Sequence, residues 1–233
     1  MKASELRGPQ LRRPSPHVVV AIPTIKARRN AWRECAAAFA ERTCQPVTVI
    51  PSYAKGGWGA GLNDVWEQVK HDPPDVFVCS SDDMVPADDN WLPPLLRHLA
   101  LGAYPAPALI DPRWTNYGGH AKPVADGTPS HMSTFPVLNG GWCDAVFPLP
   151  AGLSYYADNL IAVKLKQAGI ECVAVPSSRI LHGHDKRGRG FGHGSEQKAM
   201  MAHSKLYTAA LDELGVRRAT LHSNLRGAYW RHG

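Results

Sequence analysis

Three short apolar runs, set between stretches of helical periodicity, constrain the fold of this chain more than any other feature. They are His17–Ile22 (HVVVAI), closed by Pro23, then Pro46–Ile50 (PVTVI) and Asp75–Ser80 (DVFVCS). All three have strand length, and the first and third are continuous apolar runs of the kind buried on both faces. Between the first two, Trp32, Cys35, Ala36, Phe39 and Ala40 recur at helical spacing, with Asn30 placed to cap the helix. Between the second and third, a glycine-rich turn, AKGGWGAG, opens into the helix LNDVWEQVK. Strand, helix, strand, helix, strand predicts an α/β domain: a mostly parallel, Rossmann-like central sheet flanked by helices.

The rest of the chain continues in the same mixed class. DDNWLPPLLRHLAL predicts a helix with Pro93 and Pro94 in an early turn. Residues 103–152 are rich in Gly, Pro and aromatics, with strands expected at Ala108–Asp111 and Phe135–Leu138. Asp158–Ala168 is an amphipathic helix with Leu160, Ile161, Leu165 and Ala168 on one face, ended by Gly169. Ile170–Val175 predicts a further strand, ended by Pro176. A Gly/His/basic loop, HGHDKRGRGFGHG, and a terminal helix from about Ser195 to Leu214 complete the pattern.

The chain has 233 residues, 44% of them hydrophobic and 20% charged, enough to bury one substantial core. No run reaches the length of apolar residues that spans a bilayer, and MKASELRGPQLRRPSPH lacks the apolar middle of a signal peptide. The five cysteines (Cys35, Cys44, Cys79, Cys143, Cys172) are odd in number and scattered, with no C-x-x-C pair, so no disulfide framework is expected. These features predict a soluble, cytoplasmic protein. The formal charge of +6 is concentrated at the ends. Residues 1–33 carry eight Lys/Arg against one acid, and residues 185–233 nine against four. Such a fringe suits a polyanionic partner or a phosphate-bearing substrate, and equally a solvated basic surface.

The segment DVFVCSSDDMVP carries the strongest chemical signal, because it ends a buried strand in adjacent carboxylates, Asp82 and Asp83. Ligands of open parallel sheets bind at the carboxyl ends of the strands. Acidic residues there hold a hard divalent cation whose other ligands are water and substrate phosphate. The same pair also suits a turn or a helix cap. Downstream, Asp158 stands at a helix start, where the helix dipole favours a carboxylate whatever its role. GGWGAG departs from the G-x-G-x-x-G dinucleotide fingerprint, with no acid about twenty residues on. His182, His184 and His193 lack the cysteine partner that would argue for zinc.

From about Val18 to His184, the order of these motifs resembles the GT-A glycosyltransferases of the family 2 type. The likeness rests on VVVAIPT at the first strand end, GGWGAGLND with Asn63, SDDMVP, and YADNLIAVKLKQAGIECVAVPSSRILH. The compact length is similar to small stand-alone transferases of bacteria and their phages. The resemblance implies a GT-A fold over residues 17–184, preceded by a flexible basic arm (1–16) and followed by a basic loop and helical extension (185–233). It implies that Asp83 and His182, with His184 as the fallback, ligate Mn²⁺ or Mg²⁺. It further implies that Pro23, Thr24, Asn63, Asp82, Gly141 and Trp142 contact the nucleotide sugar, and that Asp158 is the general base. Trp142 equally suits a core position beside the LNGGWCD turn. Lys186, Arg187 and Arg189 are the basic lid residues expected to touch the diphosphate. Three departures stand out: Ser81 opens the motif where Asp is usual, Ala157 replaces a second acid, and PSYAKGG lacks the acid that follows the second strand. Ser52, Tyr53 and Lys55 are the residues at hand to take over nucleobase recognition.

The function implied is metal-dependent, inverting transfer of a sugar from a nucleoside-diphosphate sugar to a hydroxyl acceptor: a protein side chain, a glycan or a modified DNA base. The competing expectation is a non-catalytic nucleic-acid-binding protein that uses the basic ends of the chain.

Overall fold

The computed structural model describes residues 15–110, 125–130, 132–183 and 193–216. Strand β1 (Val18–Pro23) is buried along its whole length, as its apolar run requires. It lies between β2 (Val47–Ser52) and β3 (Val76–Cys79), parallel to both. Helices α1 (Arg29–Glu41) and α2 (Gly57–Val69) make the two crossovers. The short β7 (Val137–Asn139) adds antiparallel to β3, giving the order β2-β1-β3-β7.

A second sheet is built around β8 (Cys172–His182), flanked by β4 (Met84–Pro86) and β5 (Tyr104–Ile110). β4 runs antiparallel to β8 and β5 parallel to it; the two-residue β6 (Thr128–Pro129) also pairs with β8. Helix α3 (Leu92–Ala100) carries its two prolines in the first turn, where no backbone N–H is missed. The short α4 (Cys143–Val146), then α5 (Ala157–Gln167) and α6 (His193–Glu213), complete the order.

The core is continuous across these elements. Phe39, Trp91 and Phe135 form one aromatic group, with Phe39 and Trp91 edge-on at 5.4 Å. Trp66, Phe77 and Phe147 form another. The indole N–H of the buried Trp91 donates to Thr43 Oγ1 at 3.0 Å, so its polar end is satisfied. Tyr207, Ala210 and Leu211 of α6 belong to the same core cluster. All five cysteines are free thiols. Among the described residues, no helix is long and apolar enough to cross a membrane.

Four expectations are corrected. β8 does not stop at Pro176 but runs on to His182. The register against β5 shifts between Pro107 and Ala108, whose partners are Val175 and Arg179. Residues 176–178 are thereby skipped, and the ladder never needs the N–H that Pro176 lacks. Helix α2 takes in most of the glycine turn rather than following it. At Gly61 an added Cβ would lie 2.5 Å from the Cβ of Pro23, and at Gly59 2.6 Å from the Leu153 carbonyl oxygen. Gly61 lets the helix press against the end of β1, and Gly59 lets it press against the backbone at Leu153. Helix α1 starts before Asn30 and has no side-chain cap, because it continues from a 3₁₀ turn over Lys26–Arg28. The Arg29 N–H donates to Lys26 O, so the backbone supplies what the cap would have. Finally, β5 begins at Tyr104 rather than Ala108.

Candidate functional site

The carboxyl ends of β1 and β3 lie side by side, and each delivers polar residues to one place. Ser80 N–H donates to Ala21 O at 3.0 Å, and Thr24 N–H to Ser52 O at 2.8 Å. Thr24 Oγ1 donates to Asp82 Oδ2 at 2.6 Å. Arg28 Nη1 sits 2.9 Å from Asp82 Oδ1. Thr24 and Asp82 therefore come together, while Pro23 is the last residue of β1 and packs against Gly61. Asp82 is only 4% exposed. Burial pushes its carboxyl above the usual range; the Thr24 bond and the Arg28 charge oppose that, and the neighbouring Asp83 adds to it.

In the sequence Arg28 is one of several basic residues after the first strand, and no local pattern marks it. In the fold it neutralises the buried carboxylate. Arg28→Met is expected to destabilise the protein by about 2 kcal/mol at pH 7, a loss moderated by the partial exposure of the arginine. Burial raises the Asp82 carboxyl, so the cost should shrink as acid protonates it, and urea titrations at pH 7 and at successively lower pH check both size and sign.

Asp83 and His182 meet because β4 pairs antiparallel with the end of β8, Met84 opposite His182. Gly183 N–H donates to Asp83 O at 2.8 Å and extends that pairing by one bond. His182 Nε2 lies 3.7 Å from Asp83 Oδ2, with both side chains partly exposed. The other carboxylate oxygen, Oδ1, accepts from Ser81 Oγ. Ser81, in the place of the usual first acid, thus orients the second one. Among the described residues there is no group of three His, Cys, Asp or Glu that could hold a metal ion. One carboxylate and one imidazole nonetheless fit a cation such as Mn²⁺ that takes its further ligands from water and phosphate. His184, Lys186, Arg187 and Arg189 lie outside the described residues.

Asp158 stands in the first turn of α5 and is not its cap; that place belongs to Tyr156, in the left-handed region at φ 68°. The Asn159 N–H donates to Asp158 Oδ1 at 2.9 Å. Desolvation pushes the Asp158 carboxyl up to about 6, against two backbone hydrogen bonds that lower it. A carboxylate poised near neutrality is suited to accept a proton.

The remaining residues implied by the resemblance are placed differently. Asn63 closes a two-way hydrogen bond with Leu149, Nδ2 to O and N–H to Oδ1, both 2.8 Å. Its amide holds the 147–153 loop. Gly141 is exposed, and its N–H donates to Asn139 Oδ1 at 2.9 Å. Trp142 is 0% exposed, so the core alternative describes it, and neither ring face is open to a sugar.

Two further residues emerge only in three dimensions. Asp64 of α2 reaches the end of β2, where Ser52 Oγ donates to its Oδ2 at 2.6 Å. A carboxylate from the next helix thus reaches Ser52, the residue before the exposed Tyr53. Trp58 donates its backbone N–H to Ser154 Oγ at 2.9 Å and its indole N–H to Ser80 O at 2.7 Å. It ties the loop before α5 to the strand end that carries Asp82 and Asp83. No spacing rule in the sequence signals either contact.

The sequence matches no protein-family model and no curated protein. Its fold, however, is similar to solved structures. A mannosyltransferase from Pyrobaculum calidifontis in complex with GDP-Man and Mn²⁺ matches with a TM-score of 0.56 at 14% identity, over 91% of this chain and 70% of that one. Glucosyl-3-phosphoglycerate synthase from Mycobacterium tuberculosis, in complex with Mn²⁺, UDP and glucosyl-3-phosphoglycerate, matches with 0.55 at 12%, over 93% and 85%. GalNAc-T7 with UDP, GalNAc and Mn²⁺ matches with 0.55 at 12%, over 73% of this chain. The chain spans only 44% of GalNAc-T7 and 60% of a Staphylococcus aureus TarS fragment that it also matches. At such identities the likeness establishes the architecture, which is the GT-A fold.

Proposed function

We propose that this chain, built on the GT-A fold, transfers a sugar from a nucleoside-diphosphate sugar to a hydroxyl acceptor. The observation that carries the reading is the meeting of Asp83 and His182, from opposite halves of the chain, at the carboxyl end of the central sheet. Solved structures of the same fold in complex with GDP-Man and Mn²⁺, and with UDP and Mn²⁺, support it.

Asp83 and His182 would hold Mn²⁺ or Mg²⁺, which when bound offsets the charge that builds on the leaving diphosphate. Ser81 keeps the Asp83 carboxylate turned for that task. Thr24 and Arg28 hold Asp82 in place beside it, at the wall that the ribose or sugar meets. Asp64, oriented by Ser52, and the exposed Tyr53 lie where the nucleoside would bind, one offering acceptor oxygens and the other a ring face. Asp158 takes the proton of the acceptor hydroxyl as that oxygen attacks the anomeric carbon. The bond from that carbon to the diphosphate breaks with its electron pair leaving on the diphosphate, and the configuration inverts.

The test is thermal denaturation with UDP-, GDP- and other nucleotide sugars, with and without Mn²⁺. A cognate donor at about a hundred times its Kd should stabilise the fold by about 2.7 kcal/mol. For a chain of this size that is a rise in Tm of roughly 5–10 °C. The shift should require the metal. If no nucleotide sugar moves the Tm with Mn²⁺ present, the reading fails.

A further inference from the structure

Helix α6 follows the last strand of the fold, yet it is bonded to both ends of α5. At the start, the Tyr155 N–H donates to His203 Nδ1 at 3.0 Å, and the two rings lie 5.4 Å apart. At the end, Gln167 Nε2 donates to the Leu214 carbonyl at 2.9 Å. Between these points Tyr207, Ala210 and Leu211 seat α6 in the core.

The segment that α6 holds has an uncommon backbone. Tyr156 is the one residue other than glycine with positive φ among the described residues, at 68°. It borders α5 without a side-chain cap, and its carbonyl accepts from the Leu160 N–H at 2.9 Å, so its conformation sets the first turn of the helix. A left-handed backbone costs a side chain of this kind about 1–3 kcal/mol and persists only where its neighbours over-determine it. Two of those neighbours are on α6. His203 fixes the amide of Tyr155, and the Tyr207 ring stacks on Tyr156 with centroids 5.4 Å apart and planes 15° from parallel. From the other side, α2 holds the two preceding residues: Trp58 N–H donates to Ser154 Oγ at 2.9 Å and Gly59 N–H to the Leu153 carbonyl at 3.0 Å. The chain is thus fastened from Leu153 to Tyr156, immediately before the turn that carries Asp158.

We propose that His203 is a positioning residue for the reaction. By holding the Tyr155 amide it fixes the left-handed entry into α5, and with it the direction of the Asp158 carboxylate. The inference rests on the glycosyl-transfer reading with Asp158 as the base. It makes the C-terminal helix a working part of the site.

His203→Ala removes the acceptor and leaves Asp158 itself in the chain. With water as the acceptor and Mn²⁺ present, kcat for hydrolysis of UDP-glucose, UDP-galactose and GDP-mannose should fall about tenfold to a hundredfold, as a base displaced by about 1 Å implies. Affinity for UDP and GDP in Mn²⁺ should stay within about twofold, because the metal side keeps its residues. His203→Asn puts an amide oxygen in the place of Nδ1 and should restore kcat to within about threefold of the parent. A helix that only stabilised the fold would lower nucleotide affinity and kcat together. Unchanged kcat in His203→Ala overturns the inference, as does a parallel loss of nucleotide affinity or a failure of His203→Asn to restore the rate. Should the alanine variant not fold, His203→Leu, which keeps bulk and also lacks an acceptor, is held to the same outcomes. A parent chain that binds neither nucleotide with Mn²⁺, or hydrolyses none of the three sugars, overturns the glycosyl-transfer reading and this inference together. Binding and hydrolysis that are the same in parent and variant overturn this inference alone.

Discussion

Asp158→Asn is expected to lose transfer by about 10²- to 10⁴-fold, the usual contribution of a general base, while producing a more stable protein. The two effects share one cause. Desolvation holds the carboxyl at about 6 in the fold, above the ordinary 3.8. The folded state therefore favours the protonated form, and stability falls as pH rises from the unfolded value through the folded one. Two units at 1.36 kcal/mol each give roughly 2–3 kcal/mol, an upper figure because the side chain is partly exposed. Asn carries no charge to desolvate, so the variant should melt several degrees higher at pH 7 and match the parent near pH 3. The parent's rate should fall as pH drops below about 6. Calorimetry across pH, together with a pH–rate profile, checks both limbs; a variant less stable than the parent at pH 7 would contradict the desolvation argument.

Asp83→Asn should abolish the metal dependence of nucleotide binding. The amide still fits beside Ser81, so the change removes charge and leaves shape. At the proposed metal site the protein ligands would be Asp83 and His182, which lie 3.7 Å apart, so losing the carboxylate would remove half of that set. Affinity for a nucleoside diphosphate in Mn²⁺ should drop at least a hundredfold, about 2.8 kcal/mol, to the level seen with chelator. Titration calorimetry with UDP and GDP in Mn²⁺ and in EDTA measures this directly. Retention of the Mn²⁺ enhancement by Asp83→Asn would remove Asp83 from the metal site.

How much of this was legible in the sequence depended on the range of the forces involved. The first three strands could be read because β-branched runs bounded by Pro and Gly leave few alternatives. The pairing of Asp83 with His182 was approached through resemblance, since no local pattern says that β4 and β8 are neighbours. Pro176 misled because a proline normally ends a ladder, and only the register shift against β5 shows how this strand passes it. The glycines of α2 looked like a turn because the reason for them, Pro23 and the Leu153 carbonyl, lies elsewhere in the chain. Trp142 was open between core and sugar platform because ring burial is decided by the whole packing. Arg28, Asp64 and Tyr207 escaped notice for the same reason. Each matters through a partner far away in sequence, namely Asp82, Ser52 and Tyr156.

The two hydrogen bonds donated by Trp58 bear on how mutational energies at this site will combine. One of its N–H groups is fastened to Ser154, four residues before the candidate base, and the other to Ser80, two residues before Asp82. Changes near Asp158 and near Asp83 therefore share an intermediary, and their free energies are not expected to add. A mutant cycle between Ser154→Ala and Asp83→Asn, read on nucleotide affinity, would show a coupling term in the parent background. With Phe in place of Trp58 that term should collapse, making the Ser154 and Asp83 positions thermodynamically independent of one another.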